Sequence, residues 1–323
     1  MYLAPDGEEA EVAAAASDFL AGAMPIERLH AAGSADMSAE LRSLFGEMGW
    51  FALAVPEALG GSGLSAVEHA LFFREAGRQC APVDLLAQSL AANLVQNAKL
   101  RASLIAGEVA VGLLVSDGDQ FRLLGSHHAA WGLLVEADHA ALYPLAGLAL
   151  APRPSLDPAN SMRLLDGLPD AAEREDGPRI SQLGQLGAAA MLVGMAERAL
   201  DLIVEYAKVR ETFGRKIGSW QAVRHPCADM AVRVEAARSQ LLYAAAAMKE
   251  LRADAPAHLD AAKHLANQAA VANADSNIQL HGGIGVTDEH HAHLLLKHAM
   301  LLSRLFGGKR SLLSRLLHAE LED

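Results

Sequence analysis

Two segments in the C-terminal half of the sequence carry residue types that suit contact with a phosphate-bearing ligand. The first is RETFGRKIGSWQ, residues 210–221, and the second is QLHGGIG, residues 279–285. Arginine presents a fork of N–H donors that matches phosphate oxygens, and glycines let a backbone approach a ligand closely. An aromatic ring and glutamines can pack against a heterocycle and hydrogen-bond it. Together the segments indicate a binding site for a molecule that carries both groups.

Each segment also has a purely structural interpretation. Residues 210–221 could form a helix–helix turn with a solvated basic patch, and the glycines could end one helix before a new N-cap at Thr287 or Asp288. The glycine spacing does not match a Rossmann fingerprint, because Asp288 stands where the third glycine of G-x-G-x-x-G would lie. The combination of the two segments, more than either alone, favours ligand binding.

A group of histidines surrounds the second segment and raises the question of a metal site. These residues are His281, His290, His291, His293 and His298. Ligating histidines need a shared focus, and the acidic or cysteine companions of catalytic zinc sites are not placed near them in the sequence. We therefore expect no metal site and interpret the histidines as a polar helix face at a subunit contact.

The composition excludes several classes of function. The chain has 323 residues, of which 52% are hydrophobic, and a formal net charge of -12, which gives no basic field for nucleic acid or anionic lipid. Cys80 and Cys227 are far apart and lack the spacing of a disulfide framework or a zinc site, as is typical of a reducing cytoplasm. The N-terminus lacks the features of a signal peptide, and no run of about 18 apolar residues occurs. We expect a soluble cytoplasmic protein with neither a nucleic-acid nor a membrane partner.

Helical periodicity fills most of the chain and predicts a mainly α fold. Residues 1–106 read as an N-terminal helical domain, in which Ser65 and Glu68 form a capping box at the start of one helix. Residues 107–170 change to about five or six brief strands, which predicts a small middle β-domain. Residues 171–323 return to long Ala- and Leu-rich helices with short connections, the pattern of a four-helix bundle.

Aromatic residues in the N-terminal part are predicted to lie in the core. Trp50 and Phe51 are adjacent, and Phe72 and Phe73 lie in the helix that follows the capping box. Large aromatic side chains at helical positions mostly pack in cores. A contribution to the wall of a substrate pocket is the alternative interpretation.

Taken in order, three stretches resemble the acyl-CoA dehydrogenase family. RETFGRKIGSWQAVRHPCADM followed by IQLHGGIGVTDEHHAHLLLKHA is similar to the family's C-terminal domain, with its arginine, aromatic-glycine pair, Gln-Ala and Q-x-x-G-G-x-G loop. MGWFALAVPEALGGSGLSAVEHALFFREAGRQCAP resembles the family's first domain. The resemblance covers nearly the whole chain.

The resemblance implies a fold, a cofactor and a set of site residues. Members have an N-terminal helical domain, a middle β-domain and a C-terminal four-helix bundle, with FAD lying between subunits. The chemistry is removal of an acyl-CoA α-proton by a carboxylate, with hydride passing from the β-carbon to the flavin. By resemblance, the cofactor-binding residues here are Arg210, Thr212 and Phe213 near the pyrophosphate, Trp220 and Gln221 near the adenosine, and Gln279, Gly282 and Gly283 from the glycine loop.

The sequence departs from the family in two places that matter for catalysis. The Y-x-x-T-E-P-x-A-G-S-D-like segment of the middle domain, which lines the flavin ring, has no counterpart between residues 107 and 169. The two positions at which different family branches carry the catalytic glutamate are occupied by Phe306 and Gly184. Glu173 and Glu175 are weak substitutes in an uncertain loop. We therefore assign no catalytic residue to this chain.

The pattern of retained and missing parts resembles one arrangement within the family. Two-gene acyl-CoA dehydrogenases, notably those acting on steroid side-chain CoA thioesters, form α2β2 heterotetramers with one FAD at each unlike-subunit interface. This chain is similar to the shortened partner, so the resemblance implies a full-length paralogue that contributes the base and the ring contacts. A homo-oligomer is the alternative assembly, and a non-catalytic oligomerisation or regulatory module is the alternative function.

Overall fold

Helices around a shared aromatic core form the N-terminal third of the molecule. The computed structural model of the chain describes residues 5, 7–30 and 37–321, so the outermost residues of the predicted first and last domains lie outside it. The helices of this part are α1 Gly7–Ala23, α2 Ala39–Glu47, α3 Ala66–Arg78, α4 Val83–Leu94 and α5 Ala98–Ile105. The capping box predicted at Ser65 and Glu68 is present at the start of α3.

The aromatic residues predicted for the core lie in it. Trp50, Phe51, Phe72 and Phe73 are all buried, and the Trp50 and Phe72 rings stack with centroids 4.9 Å apart. Phe72 and Phe73 meet edge to face at 5.1 Å. Such pairs add to the burial energy of the rings, so they fix how α3 packs on the preceding turns.

A seven-stranded sheet follows the N-terminal helices. Its strands are β1 Val111–Asp117, β2 Gln120–Leu124, β3 Trp131–Val135, β4 His139–Pro144, β5 Ala151–Arg153, β6 Met162–Leu165 and β7 Glu173–Asp176. The spatial order is β5-β6-β2-β1-β3-β4-β7, and all neighbours are antiparallel except β1 and β3. The sequence predicted five or six strands; β7 lies past position 170, the boundary that we predicted from the pattern.

Long helices make up the C-terminal part. They are α6 Arg179–Val209, α7 Gln221–Lys249, α8 Ala255–His281 and α9 Ala292–Leu302, followed by α10 Lys309–Leu316. Residues 183–197 of α6 are buried on every side, because this helix lies between the N-terminal helices and α8. Small residues allow the close packing, since a Cβ on Gly194 would overlap the carbonyl oxygen of Arg74. The mainly α fold with a small middle sheet and a C-terminal helical domain is as predicted.

A buried polar contact joins the three parts of the chain. Asp157, in the loop between β5 and β6, accepts a hydrogen bond from His298 of α9 at 2.7 Å and another from Asn160 at 2.6 Å. Asn160 in turn accepts the backbone N–H of Val83 at the start of α4. Burial raises the pKa of Asp157, but the charge of His298 and the hydrogen bonds outweigh it and the pKa is lowered. We call these four residues the buried junction.

Candidate functional site

The first predicted segment forms a tight hairpin between two helices. Strands β8 Glu211–Thr212 and β9 Arg215–Lys216 pair antiparallel and leave a two-residue turn. Phe213 and Gly214, the turn residues, have φ of 50° and 77°, and two positive φ values are the requirement of the type I′ turn that fits a hairpin. The turn directs the Phe213 side chain outward, where it is 94% exposed.

The other predicted residues of this segment frame the hairpin. Arg210 ends α6 with an exposed side chain and accepts the backbone N–H of Ile217 at 2.9 Å. Trp220 is the N-cap residue of α7 and Gln221 is its first residue. The guanidinium carbon of Arg215 lies 3.5 Å from the centre of the Trp220 ring, a cation–π contact that holds the hairpin against α7.

The second predicted segment is an open glycine loop, which we define as residues 282–291. Helix α8 ends at His281, and Gly282 continues with φ 67° and ψ -145°, a conformation that glycine alone adopts readily. Gly282, Gly283 and Gln279 are exposed, and a Cβ added at either glycine would meet nothing within 4 Å. The backbone of both glycines is therefore accessible to a ligand.

No helix starts at Thr287 or Asp288, where the purely structural interpretation of the glycines places an N-cap. A short 3-10 helix, Gly282–Val286, follows the glycines, and α9 begins only at Ala292 with His291 in the N-cap position. The Thr287 hydroxyl donates back to the carbonyl of Ile284 and caps no helix. The alternative interpretation of a new N-cap at Thr287 or Asp288 is therefore wrong, because these residues form a turn.

The hairpin and the glycine loop emerge at the same end of the bundle. Tyr206 near the end of α6 and His281 at the end of α8 have ring centroids 4.5 Å apart. Near the start of both helices, Gln185 of α6 donates to Asp260 of α8 at 2.7 Å. Helices α6 and α8 therefore run parallel, and the segments that follow them leave the bundle on one side. The structure brings both groups of predicted residues to this side, which we call the open end.

The two positions at which the resemblance places a catalytic glutamate, Phe306 and Gly184, lie against each other. Phe306 has φ 55°, and its ring covers Gly184 so closely that a Cβ added at Gly184 would lie 2.8 Å from Phe306 Cδ1 and overlap Cε1. The ring also lines a cavity of about 490 Å³. On the wall of that cavity, Arg315 donates to Asp260 at 2.7 Å, so the Asp260 carboxylate is already shared between Arg315 and Gln185.

Glu173 and Glu175, the weak substitutes for the base, have structural partners. Both lie on β7, which pairs with β4. The Glu173 carboxylate accepts the backbone N–H groups of Gln96 and Asn97, each at 3.2 Å. Glu175 forms an ion pair with Arg179, with the Arg179 Nε donating at 2.8 Å. These contacts hold the edge of the sheet against the ends of α4 and α6.

The histidines do not form one polar helix face as expected. His298 is fully buried in the buried junction and His281 is also buried, so for these two residues the prediction is wrong. His290, His291 and His293 lie at the glycine loop or just after it. Among residues 5, 7–30 and 37–321, no group of three or more His, Cys, Asp or Glu side chains is arranged to hold a metal ion. Within the same ranges, no helix has both the length and the apolar character to cross a membrane.

Sequence reasoning missed two sets of residues near these segments. The buried junction involves a histidine that carries no outward sign of burial in the sequence. Arg215 is a plain basic residue in RETFGRK, and only the fold places it over Trp220. Both contacts join residues that are brought together by tertiary packing or by a turn, so a linear pattern gives little signal for them.

Comparison with known proteins gives two family matches and several whole-chain relatives. Residues 6–102 match the family model "Acyl-CoA dehydrogenase, N-terminal domain", and residues 182–321 match "Acyl-CoA dehydrogenase, C-terminal domain". The matched ranges leave out residues 103–181, the segment that forms the sheet. The chain is 34% identical over 280 residues to acyl-CoA dehydrogenase IpdE2 of Mycobacterium tuberculosis, covering 85% of this chain and 84% of that one. It is 33% identical to acyl-CoA dehydrogenase FadE34 of the same organism, over 88% of this chain and 42% of that one.

Solved structures share the fold at low identity. The ChsE4-ChsE5 complex from Mycobacterium tuberculosis matches with a TM-score of 0.80 and 23% identity, covering 98% of each chain. A variant of the Tcur3481-Tcur3483 steroid ACAD matches with a TM-score of 0.79 and 24% identity, covering 96% of this chain and 97% of that one. Because IpdE2 exceeds 30% identity across most of both chains and both terminal domains match, the relationship extends beyond the fold. The chain belongs to the acyl-CoA dehydrogenase family.

Proposed function

We propose that this chain is a subunit of an FAD-dependent acyl-CoA dehydrogenase that contributes the ADP-side half of an interfacial FAD site. A full-length partner would contribute the flavin-ring contacts and the catalytic carboxylate, so the chain would be active only in the complex. Membership of the family supports an oxidoreductase function. FAD bound at the interface would supply the acceptor for the hydride that leaves the acyl β-carbon.

The hairpin suits the pyrophosphate side of such a cofactor. Arg210 is exposed at the end of α6, and Thr212 is half-buried beside it on β8. Phe213 is almost fully exposed on a turn that costs energy for a residue with a Cβ. An exposed aromatic ring held in a strained turn is what we expect of a group that packs against something outside its own chain.

The neighbouring elements complete the half-site. Trp220 and Gln221 begin α7 directly behind the hairpin, where they would face the adenosine. Gln279, Gly282 and Gly283 lie at the same end of the bundle, with open space over both glycines. The Gly282 N–H already donates to the Gln279 carbonyl, so the Gln279 side-chain amide is the group that would hydrogen-bond a phosphate or a heterocycle. The open space over the glycines would let the ligand approach without displacing any side chain. The residues present at the open end fit the ADP half of FAD.

The contact between Phe306 and Gly184 is the observation that carries the proposal. A base must come within hydrogen-bond reach of the proton that it removes, and neither phenylalanine nor glycine can accept one. The ring fills the space over Gly184, so a carboxylate reaching the same place from elsewhere in the chain would have to displace it. Asp260 is engaged by Arg315 and Gln185, while Glu173 and Glu175 are engaged at the sheet edge.

Relatives suggest the partner and the substrate class. Two of the fold neighbours are the ChsE4-ChsE5 complex and the Tcur3481-Tcur3483 steroid ACAD, whose names each join two proteins. We infer by analogy that the partner here is a full-length acyl-CoA dehydrogenase paralogue in a heterotetramer and that the substrate is an acyl-CoA thioester of a steroid side chain. The composition is consistent with a cytoplasmic location for the complex.

The experiment compares the chain alone with the chain in a complex. The chain is purified by itself and after co-expression with a candidate full-length homologue. Each sample is examined for flavin absorbance and for bleaching by acyl-CoA. We expect flavin and bleaching only in the co-purified complex, with the homologue alone as control. A homologue that retains flavin and bleaches equally well alone would contradict the proposal and favour a non-catalytic oligomerisation module.

A further inference from the structure

A continuous row of aromatic rings crosses the base of the glycine loop. Its successive centroid distances are 4.5 Å from Tyr206 to His281, 4.3 Å from His281 to His290, 6.1 Å from His290 to His291 and 4.8 Å from His291 to His30. The row starts on α6, passes both ends of the glycine loop and reaches the N-terminal part of the chain. It therefore connects the ends of the loop to two different structural units.

Two hydrogen bonds in this row need a neutral imidazole nitrogen as acceptor, whereas His281 Nδ1 donates to the Asn277 carbonyl at 2.8 Å and keeps that bond when protonated. His30 Nε2 and His291 Nδ1 are 2.7 Å apart, and one of these two nitrogens must accept the proton of the other. His290 Nδ1 accepts the backbone N–H of Ala292 at 3.1 Å. A protonated imidazole has no acceptor, so protonation of His290, or of both members of the His30–His291 pair, would remove these bonds.

The surroundings also disfavour protonation. Burial lowers the pKa of His290 to about 4, with the nearby charges of His281 and His291 adding to the effect. Burial is the first cause of the lowered pKa of His281 and of His291, although Glu27, 3.3 Å from His291, opposes it in the second case. A histidine whose folded pKa lies below its unfolded value contributes stability above the unfolded pKa and loses it as the pH falls. The contribution is therefore complete at neutral pH and lost from about pH 6.5 downward.

Other charged groups near the row are of mixed sign. They are Glu27 on the N-terminal turn, Arg198 on α6, Asp288 and Glu289 in the glycine loop, and His293 and Lys297 on α9. The acidic members attract a protonated histidine and the basic members repel it. Because burial is the leading cause of the shift for all three histidines, the mixed surroundings leave the direction of the pH effect unchanged.

We propose that His30, His281, His290 and His291 act as positioning residues, a histidine clasp that holds the glycine loop in place and opens as the pH falls below neutral. The proposal deepens the proposed function and rests on it for its purpose, because the loop so held is the one that would contact FAD. The clasp would make cofactor retention weaker in acid without any change in the cofactor-binding residues themselves.

Hydrogen–deuterium exchange of the purified chain tests the clasp without flavin. Exchange of the amides of residues 282–291 is measured at about pH 7.5 and about pH 5.5. The rates are expressed as protection factors, which correct for the intrinsic pH dependence of exchange. We expect protection in wild type to fall about tenfold on acidification, the effect of a one-unit pKa shift. The hairpin, residues 211–216, serves as internal reference and should change little.

Variants separate charge from general damage. The double variant His30→Gln, His291→Gln keeps hydrogen-bonding groups but cannot be protonated, so its pH dependence should drop to that of the remaining clasp residues. His258→Gln, which removes a histidine that packs on Tyr243 outside the clasp, is the matched control. Wild-type protection that does not change with pH overturns the proposal even if the double variant fails to fold. If the loop responds to pH but no partner restores flavin, the proposed function fails and the clasp stands.

Discussion

The open end of the bundle and the filled region around Phe306 use glycine in opposite ways. At Gly282 and Gly283 the space over the backbone is empty, and nearby Phe213 is almost fully exposed. At Gly184 the space is occupied by the Phe306 ring, while the buried junction ties α9 to the sheet. Under the proposed function, the accessible surface at the first place would serve the flavin contact, and the packing at the second place would stand where other family members have the base.

This difference makes a separable prediction for each region. Substitutions in the filled region should change the free energy of unfolding of the isolated chain and leave flavin retention in the complex alone. Substitutions at the open end should lower flavin retention in the complex and change the free energy of unfolding of the isolated chain little. The four tests below run from the largest expected effect to the smallest, and each would weaken the comparison if the two readouts changed together.

The largest effect is expected from His298→Leu in the buried junction. Leucine removes the His298 partner and leaves the buried Asp157 carboxylate with only Asn160 and the Ala159 N–H, at a cost of about 3 kcal/mol in the free energy of unfolding. Urea unfolding at neutral pH measures the loss, and His318→Leu at the exposed end of the chain is the control. Because the folded pKa of Asp157 is lowered, wild type should also lose stability as the pH falls below the normal carboxyl range. A cost under about 1 kcal/mol would show that the junction is not a buried pair.

At the open end, Arg210→Ala should weaken FAD retention in the complex by about 2–3 kcal/mol, the value of a charge-assisted hydrogen bond. Its exposed side chain should leave the unfolding free energy within about 0.5 kcal/mol of wild type. Flavin release is followed by absorbance after dilution. Arg304→Ala, an exposed arginine in the turn after α9, is the matched control. Equal retention by the two variants would count against the pyrophosphate assignment.

Gly184→Ala tests how tightly the Phe306 ring packs on Gly184 in the filled region. The new Cβ would collide with the Phe306 ring, and overpacking of this kind costs about 1–3 kcal/mol. Adding Phe306→Leu should return part of the loss, because the shorter side chain vacates the space. Thermal unfolding of both single variants and the double variant gives the coupling. Additive effects would mean that the two residues are not in contact.

The smallest expected effect on stability comes from Phe213→Gly, and it has the opposite sign. Glycine removes the strain of φ 50° but loosens the unfolded chain, so we expect a gain of about 0.5 kcal/mol for the isolated subunit. The same variant should retain flavin less well with the partner, because the exposed ring is lost. An unchanged complex would falsify the idea that Phe213 packs across the interface.

Much of the helical architecture follows from the sequence because it is encoded locally. The capping box at Ser65 and the long periodic runs of α6, α7 and α8 each depend on residues close together in the chain. Strand β7 was missed because its sequence is ERED, whose charges suit a loop as well as an edge strand. The sequence could not distinguish the turn at Thr287 from the alternative N-cap, because an N-cap and a turn prefer the same residues.

Motifs in the sequence identify the residues of the candidate site, but they do not give its geometry. The sequence places the hairpin residues and the glycine loop about 60 positions apart, and only the parallel packing of α6 and α8 shows that they share one end. Phe306 and Gly184 are about twice as far apart in the chain, and no periodicity predicts that they meet. The burial of His298 is equally hard to predict, because a histidine on a helix is expected at the surface and only tertiary packing buries it.

The buried junction also bears on how the polypeptide could be divided. One hydrogen-bonded group draws on α4, the loop before β6 and α9, so each of the three parts supplies a piece of a shared interior. Proteolysis at the exposed turn around Gly147 would cut the chain between β4 and β5 without separating those pieces. The two fragments should therefore elute together in gel filtration, and neither should fold when expressed by itself.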